Sequence, residues 1–274
     1  MRDTSQEQEQ HSSSLTTSAQ SKVGALLVHG LNGNTHDMDE LEMLLQAHGV
    51  IVENILLPGH GSDVRDMLPL GWPEWSAAVR CEFYALKERC DHVFLIGHSL
   101  GGALCLHIAA HEDVAGVVAI CAPLHMRPWL RSAVQFAQHI TPFVPTLRED
   151  IRDPVARRKY ASDVYRWTPM APVANMLKHL PLLRHELPRM CVPALVIAAK
   201  HDHVVPVSDG YEIYRLLGSQ EKRLIILHHS YHVAMKDHDK ETVFASTLAF
   251  VQKYMHGAQI QDAGFDEVQQ DKMA

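Results

Sequence analysis

Short, uninterrupted apolar runs recur along this chain, each followed by a stretch whose apolar positions fall three or four apart. The first run, residues 23–30 (VGALLVHG), is closed by glycine, and its lack of alternation suits a strand covered on both faces, as in a parallel sheet. Met38, Leu41, Leu44 and Leu45 then repeat at helical intervals in a segment that opens with acids and closes at Gly49. Residues 50–57 read as a second strand. Residues 73–90 read as a helix with Trp75, Val79, Phe83, Leu86 and Cys90 on one stripe. HVFLIG, LGGALCLHIAAH and VAGVVAICAP continue as strand, helix and strand. This alternation predicts an α/β fold with a doubly wound, mostly parallel sheet.

From about residue 123 to 190 the rhythm breaks. Prolines at 128, 142, 145, 154, 169, 172, 181 and 188 separate short helical patterns, which reads as a small helical cap inserted into the sheet. The alternation resumes with a strand over 193–200, a helix around SDGYEIYRLLG, the strand KRLIILHH and a last helix over 241–255. Residues 1–21, rich in Gln and Ser with little to bury, read as a disordered tail, and residues 257–274 as a polar C-terminal tail. No repeat and no linker divides residues 22–256, so they are expected to form one domain.

Composition narrows the field of partners. Lys and Arg total 25 against 32 Asp and Glu, a formal charge of −7, which argues against a nucleic-acid partner. The absence of an apolar leader near the N-terminus argues against export by the general pathway, and no apolar run reaches the roughly 18 residues of a spanning helix. Cys81, Cys90, Cys105, Cys121 and Cys191 lie in apolar contexts without CxxC spacing and read as reduced core thiols of a cytoplasmic protein.

Candidate chemistry centres on LIGHSLGG. Gly97-His98-Ser99-Leu100-Gly101 fits G-x-S-x-G, placed after an expected strand and before an expected helix. A sharp turn there strains the serine, and a Cβ at Gly97 or Gly101 would strike the neighbouring elements. Ser99 is thereby presented at a helix N-terminus whose amides, that of Leu100 included, can stabilise negative charge. A serine hydroxyl needs a base, and the base an orienting carboxylate. In such a sheet both belong just beyond later strand ends, which selects Asp202 after ALVIAAK and His232 after LIILHH. The resulting chain order is Ser, Asp, His.

With these stretches together, the chain resembles the α/β-hydrolases of the bacterial carboxylesterase and monoacylglycerol lipase type. The similarity runs from about residue 22 to 255 through LLVHGLNGN, LPGHGS, LIGHSLGG, HDHVVP and SYHV. The resemblance implies a catalytic triad of Ser99, Asp202 and His232, with the Leu31 and Leu100 amides as oxyanion hole. It gives His29 and Gly30 a supporting role in the oxyanion loop, and His60 a supporting role near the acid and base loops. His98, beside the nucleophile, is likewise taken as structural.

Rival residues are present. His228, His229 and His238 lie near His232, and Asp209 and Asp237 are available acids, but only His232 stands in S-x-H-V and only Asp202 precedes a V-x-P turn. His201 and His203 flank Asp202 as a possible metal pair. The third ligand of a hydrolytic metal site is missing from that run, so neither metal nor cofactor is expected. The cap carries Met126, Trp129, Phe136, Met170 and Met176, suited to acyl chains. Its Arg127, Arg131, Arg148, Arg152, Arg157 and Arg158 read as a solvated face. The expected function is a soluble serine carboxylesterase acting on short to medium acyl esters, monoacylglycerols among them. Thioesterase, lactonase, amidase, acyltransferase or carbon–carbon hydrolase chemistry uses the same triad, and a hydrolase-like ligand receptor or a histidine-rich interaction protein would keep the fold without turnover. Oligomeric state is not legible.

Overall fold

A computed structural model of the protein describes residues 21–126, 128–146, 150–160 and 165–255. The expected tails, apart from Ser21, and Arg127 and Arg148 lie outside the described residues. Six parallel strands form the central sheet: β1 (Val23–Val28), β2 (Ile51–Ile55), β3 (His92–His98), β4 (Gly116–Ile120), and the two strands after the cap, which are given below. The cap between β4 and the resumption of the sheet contains α4 (Pro128–Ala137), β5 (Phe143–Pro145), α5 (Pro154–Tyr160), β6 (Trp167–Pro169) and α6 (Met170–Glu186). The sheet is completed by β7 (Ala194–Ala199) and β8 (Lys222–Leu227), giving the order β2-β1-β3-β4-β7-β8.

The uninterrupted apolar runs follow from burial on both faces. Leu26 and Val28 of β1, Leu95 of β3 and Val117 of β4 point to one layer, while Leu27, Phe94, Ile96 and Val118 point to the other. The first layer is closed by α2 (Trp72–Lys87) and α3 (Leu100–Ala109), with α6 and α7 (Val207–Leu216) contributing; the second is closed by α1 (Asp39–Ala47) and α8 (Lys240–Met255). Trp75, Val79, Phe83 and Leu86 on α2 are fully buried, each worth roughly 1.5–3 kcal/mol relative to exposure. That stripe makes residues 72–87 a packed helix. Its N-terminal amides are answered in two ways: Glu74 accepts from Gly71 N at 2.9 Å, and Asn175 of α6 accepts from Trp72 N at 3.0 Å.

The strand order reverses between β1 and β3, whose register pairs Val28 with Gly97. A crevice opens where the connections diverge at the carboxyl ends of such strands. The residues after β1 and β3 therefore lie side by side.

Several local expectations are corrected. α2 ends at Lys87, and Cys90 sits in the turn beyond it, buried all the same. Cys81 and Cys191 are exposed, so only three of the five cysteines are core thiols. The cap is not purely helical: β5 and β6 pair antiparallel through Phe143–Pro169, Val144–Thr168 and Pro145–Trp167. Proline stands at a strand terminus in both, where a ladder tolerates a missing N–H. Among the described residues no helix is long and apolar enough to cross a membrane.

Candidate active site

Ser99 is the N-cap of α3 with φ 52° and ψ −119°, a conformation rarely occupied by a residue with a Cβ. What imposes it is the closeness of the neighbouring backbone. A Cβ on Gly97 would lie 2.3 Å from the Gly101 carbonyl group, and one on Gly101 would lie 2.1 Å from the Val28 carbonyl oxygen. Strand, turn and helix thus meet with no room for side chains at either glycine. Ser99 N donates to the Ile120 carbonyl at 2.8 Å, fixing the turn to β4.

The structure brings Ser99, His232 and Asp202 into one hydrogen-bonded file. Ser99 Oγ lies 2.9 Å from His232 Nε2, and His232 Nδ1 lies 2.7 Å from an Asp202 oxygen. The other Asp202 oxygen accepts from the amides of Val204 and Val205 at 2.7 and 2.8 Å. Burial pushes the Asp202 carboxyl up, but the charge and hydrogen bond of His232 and those two amides outweigh it, so the group is held below the usual carboxylate range. An ionised Asp202 assigns the proton on His232 to Nδ1 and leaves Nε2 free to accept from the serine hydroxyl. A hydroxyl so placed can give up its proton to the imidazole, and the carboxylate stabilises the imidazolium that results.

His98 faces the base from below. Its Nε2–H donates to the His232 carbonyl at 3.0 Å, and the two rings stand 4.8 Å apart. Burial lowers the His98 pKa to about 3, with the neighbouring His232 adding to the effect. His98 is therefore a neutral prop for the base loop. His29 plays the corresponding part for the loop after β1: its Nδ1–H donates to the Gly30 carbonyl at 2.8 Å and its Nε2 accepts from Leu57 N at 3.1 Å. Burial, then His60, lowers its pKa to about 3. His60 is buried against His29 and Trp75, with ring separations of 4.8 and 5.9 Å. The 57–62 loop thus folds onto the end of β1.

Leu100 is the first residue of α3, so its amide has no intrahelical acceptor. Leu31 follows Gly30, where a Cβ would come within 3.1 Å of Ser99 Cβ, so the loop passes directly over the serine. Asn32, at φ 62°, completes the turn and donates from Nδ2 to Thr168 Oγ1 on β6 at 2.9 Å, which ties this loop to the cap.

The rival residues have other placements. His201, His203, His228, His229 and His238 are exposed. Asp209 and Asp237 are buried and tether the cap. Asp209 accepts from the amides of Leu124 and His125 at 2.7 and 2.9 Å, where the cap leaves β4. Asp237 accepts from the amides of Arg152 and Asp153 at 2.7 and 2.9 Å and from Tyr231 N at 2.8 Å. Sequence reasoning missed both tethers, whose partners are remote in the chain. Cys121, expected as a core thiol and buried as such, stands at φ 48° at the end of β4 with its Sγ within 4.8 Å of Asp202 and His232 ligand atoms. Among the cap arginines described, Arg131, Arg152 and Arg158 are exposed and Arg157 is half-buried.

Above Ser99 lies a cavity of about 380 Å³. Met126, Val134, Val173, Met176, Leu177 and Leu180 form an apolar wall contributed by the cap. Asn32, Thr146 and Thr168 give another part of the lining a polar character.

Comparison with known proteins bears on this arrangement. The family described as serine aminopeptidase, S33, matches residues 19–239. A thermostable monoacylglycerol lipase of Bacillus sp. (strain H-257) is 31% identical over 233 residues, covering 85% of this chain and 91% of the relative. A carboxylesterase of Bacillus subtilis (strain 168) is 25% identical over 232 residues, covering 83% and 92%. Among solved structures, one described with LipS and LipT, two metagenome-derived lipolytic enzymes, superposes with a TM-score of 0.79 at 33% identity, covering 85% of this chain and 95% of that one.

Proposed function

The chain belongs to the α/β-hydrolase family described as serine aminopeptidase, S33, and from that membership we propose that it hydrolyses short to medium chain acyl esters, monoacylglycerols among them, through Ser99, His232 and Asp202. The observation that carries the reading is the file of hydrogen bonds from Ser99 Oγ through His232 to Asp202, opening into an apolar cavity. Ser99 Oγ attacks the ester carbonyl carbon as its proton passes to His232 Nε2. The oxyanion of the tetrahedral intermediate is taken by the Leu31 and Leu100 amides, and one such donor is worth about 10²- to 10³-fold in kcat. His232 then protonates the departing alcohol, leaving an acyl-Ser99. Water, deprotonated by His232, releases the acid and restores the enzyme.

The substrate class is supported by the chemistry of the cavity: an apolar wall suits an acyl chain, and the hydroxyl and amide groups of Thr146, Thr168 and Asn32 suit a polar alcohol portion. The names of the Bacillus relatives agree with an ester substrate. The proposal takes residues 22–256 as one hydrolase domain with its cap at about 123–190, and places it in the cytoplasm, in keeping with five unpaired cysteines.

Intact mass after treatment with a fluorophosphonate tests the reading. One label per chain, absent from Ser99→Ala, with burst release of nitrophenol from p-nitrophenyl butyrate, is the expected result. An unlabelled wild type, or a label retained by Ser99→Ala, would overturn it.

A further inference from the structure

At the far end of α3 from Ser99, three side chains converge that the hydrolytic chemistry does not use. His107, in the last turn of α3, points Nδ1 at one Glu186 oxygen at 2.7 Å; His111, just past that helix, points Nε2 at the other at 3.1 Å. The two rings are 5.0 Å apart, and the ligand atoms of all three residues lie within 4.8 Å of one another. We propose that His107, His111 and Glu186 form a binding site for a borderline divalent transition metal ion, with zinc as its natural occupant, joining α3 to the cap helix α6.

The donor types argue for such an ion. Two imidazoles and one carboxylate match zinc and its neighbours in the first row, whereas calcium and magnesium prefer oxygen donors alone. The spacing is equally apt, since residues four apart present their side chains on one helical face. Each Glu186 oxygen already faces an imidazole nitrogen, so once each ring carries its proton on its other nitrogen, a single cation can take the same donor atoms. Tetrahedral ligands at about 2.0–2.1 Å from zinc stand roughly 3.3 Å apart, which small side-chain rotations achieve from the present separations.

The backbone adds to the field. α3 ends at Ala109 and α6 ends at Glu186, so two helix C-termini, each the negative end of its macrodipole, meet at this point. The His111 side chain is 40% exposed, which gives an ion a route in and leaves a coordination position for water, while His107 and Glu186 are 18% and 17% exposed. Trp72 stands edge-on to His107 at 5.5 Å between ring centres and holds that ring in place.

An ion here has a consequence for the cavity. α6 supplies Val173, Met176, Leu177 and Leu180 to its wall, and α3 begins at the serine turn. The ligands come from positions 79 apart in the chain, so the bound ion pins the end of the cap's longest helix to the layer that carries Ser99.

Zinc titration of the full-length protein by calorimetry, beside His111→Ala and Glu186→Gln, tests the proposal, with thermal melts in zinc and in EDTA. The chain has many other histidines, so the decisive quantity is the difference in stoichiometry. The wild type is expected to bind one ion more than either variant and to gain about 5 °C in Tm at a hundredfold excess of zinc over its Kd, a gain the variants lose. Co²⁺ in place of zinc should give a tetrahedral visible spectrum in the wild type and not in His111→Ala. Equal stoichiometry in wild type and variants, or no zinc binding by the wild type, would overturn it.

Discussion

A Cβ added at Gly97 or Gly101, beneath Ser99, would sit within 2.3 Å of backbone atoms, whereas Met176 and Leu177 line the wall of the cavity above from the cap helix α6. The floor is fixed by backbone against backbone: β1, β3 and α3 leave no space for a different turn. The cap is held by apolar contacts and by side-chain tethers, among them Asp209 to Leu124 and His125, Asp237 to Arg152 and Asp153, Asn32 to Thr168 and Asn175 to Trp72. A change in the floor therefore moves the reacting atoms. A change in the cap alters what fits above them.

The sharpest way to break this contrast is Gly101→Ala. The added methyl meets the Val28 carbonyl oxygen at 2.1 Å, and that oxygen belongs to a central strand that cannot yield alone. The helix must shift by about 1 Å, enough to cost at least about 10²-fold in kcat/KM, with a lower Tm. Ser99→Gly offers the converse. It abolishes hydrolysis and, by relieving the φ of 52°, raises stability by about 1 kcal/mol. Kinetics on p-nitrophenyl butyrate with parallel thermal melts separate the two; a Gly101→Ala enzyme within tenfold of wild type would show that the floor is not sterically fixed.

The same contrast explains what the sequence discloses. Continuous apolar runs announced the central strands because both faces of β1, β3, β4 and β7 are covered, and the glycines around Ser99 were legible because their reason is local sterics. Asp202 and His232 were found from their positions after strands. The cap was legible only as an interruption. β5 and β6 have three residues each, too few for a period, and both end in proline. The tethering work of Asp209 and Asp237, the placement of His60 and the meeting of His107 with Glu186 depend on residues far apart in the chain. No local pattern reports such meetings, and only the assembled layers reveal them.

Acid stability gives a second, smaller test. His29 and His98 have pKa values lowered to about 3 by burial, against about 6.5 when unfolded. A lowered histidine binds its proton more readily in the unfolded chain, so the stability it contributes is present above pH 6.5 and is lost as pH falls toward 3. Two such rings add up to about 2.7 kcal/mol per pH unit to the slope within that window. His98→Gln should remove about half of it, as measured by urea unfolding at pH 7, 5.5 and 4.5. An undiminished slope in His98→Gln would mean that this ring is not a neutral support of the floor.

The smallest expected effect lies in the cap, and it is selective. Met176 is nearly buried, lines the cavity and has no polar role, so exchanging it changes volume without touching the hydrogen-bonded file. Met176→Trp fills space that an acyl chain would use. Excluding about two methylenes from the apolar wall costs about 1.6 kcal/mol of transition-state binding, or roughly tenfold in kcat/KM for the longer esters. Met176→Ala works in the opposite sense, extending the preferred chain. Both should leave p-nitrophenyl acetate within about threefold of wild type, because that substrate does not reach the wall. A uniform loss across the whole ester series would instead mean that this cap residue governs the position of Ser99 and His232, and the division between a floor that sets the chemistry and a cap that sets the fit would fail at the place where the two are closest.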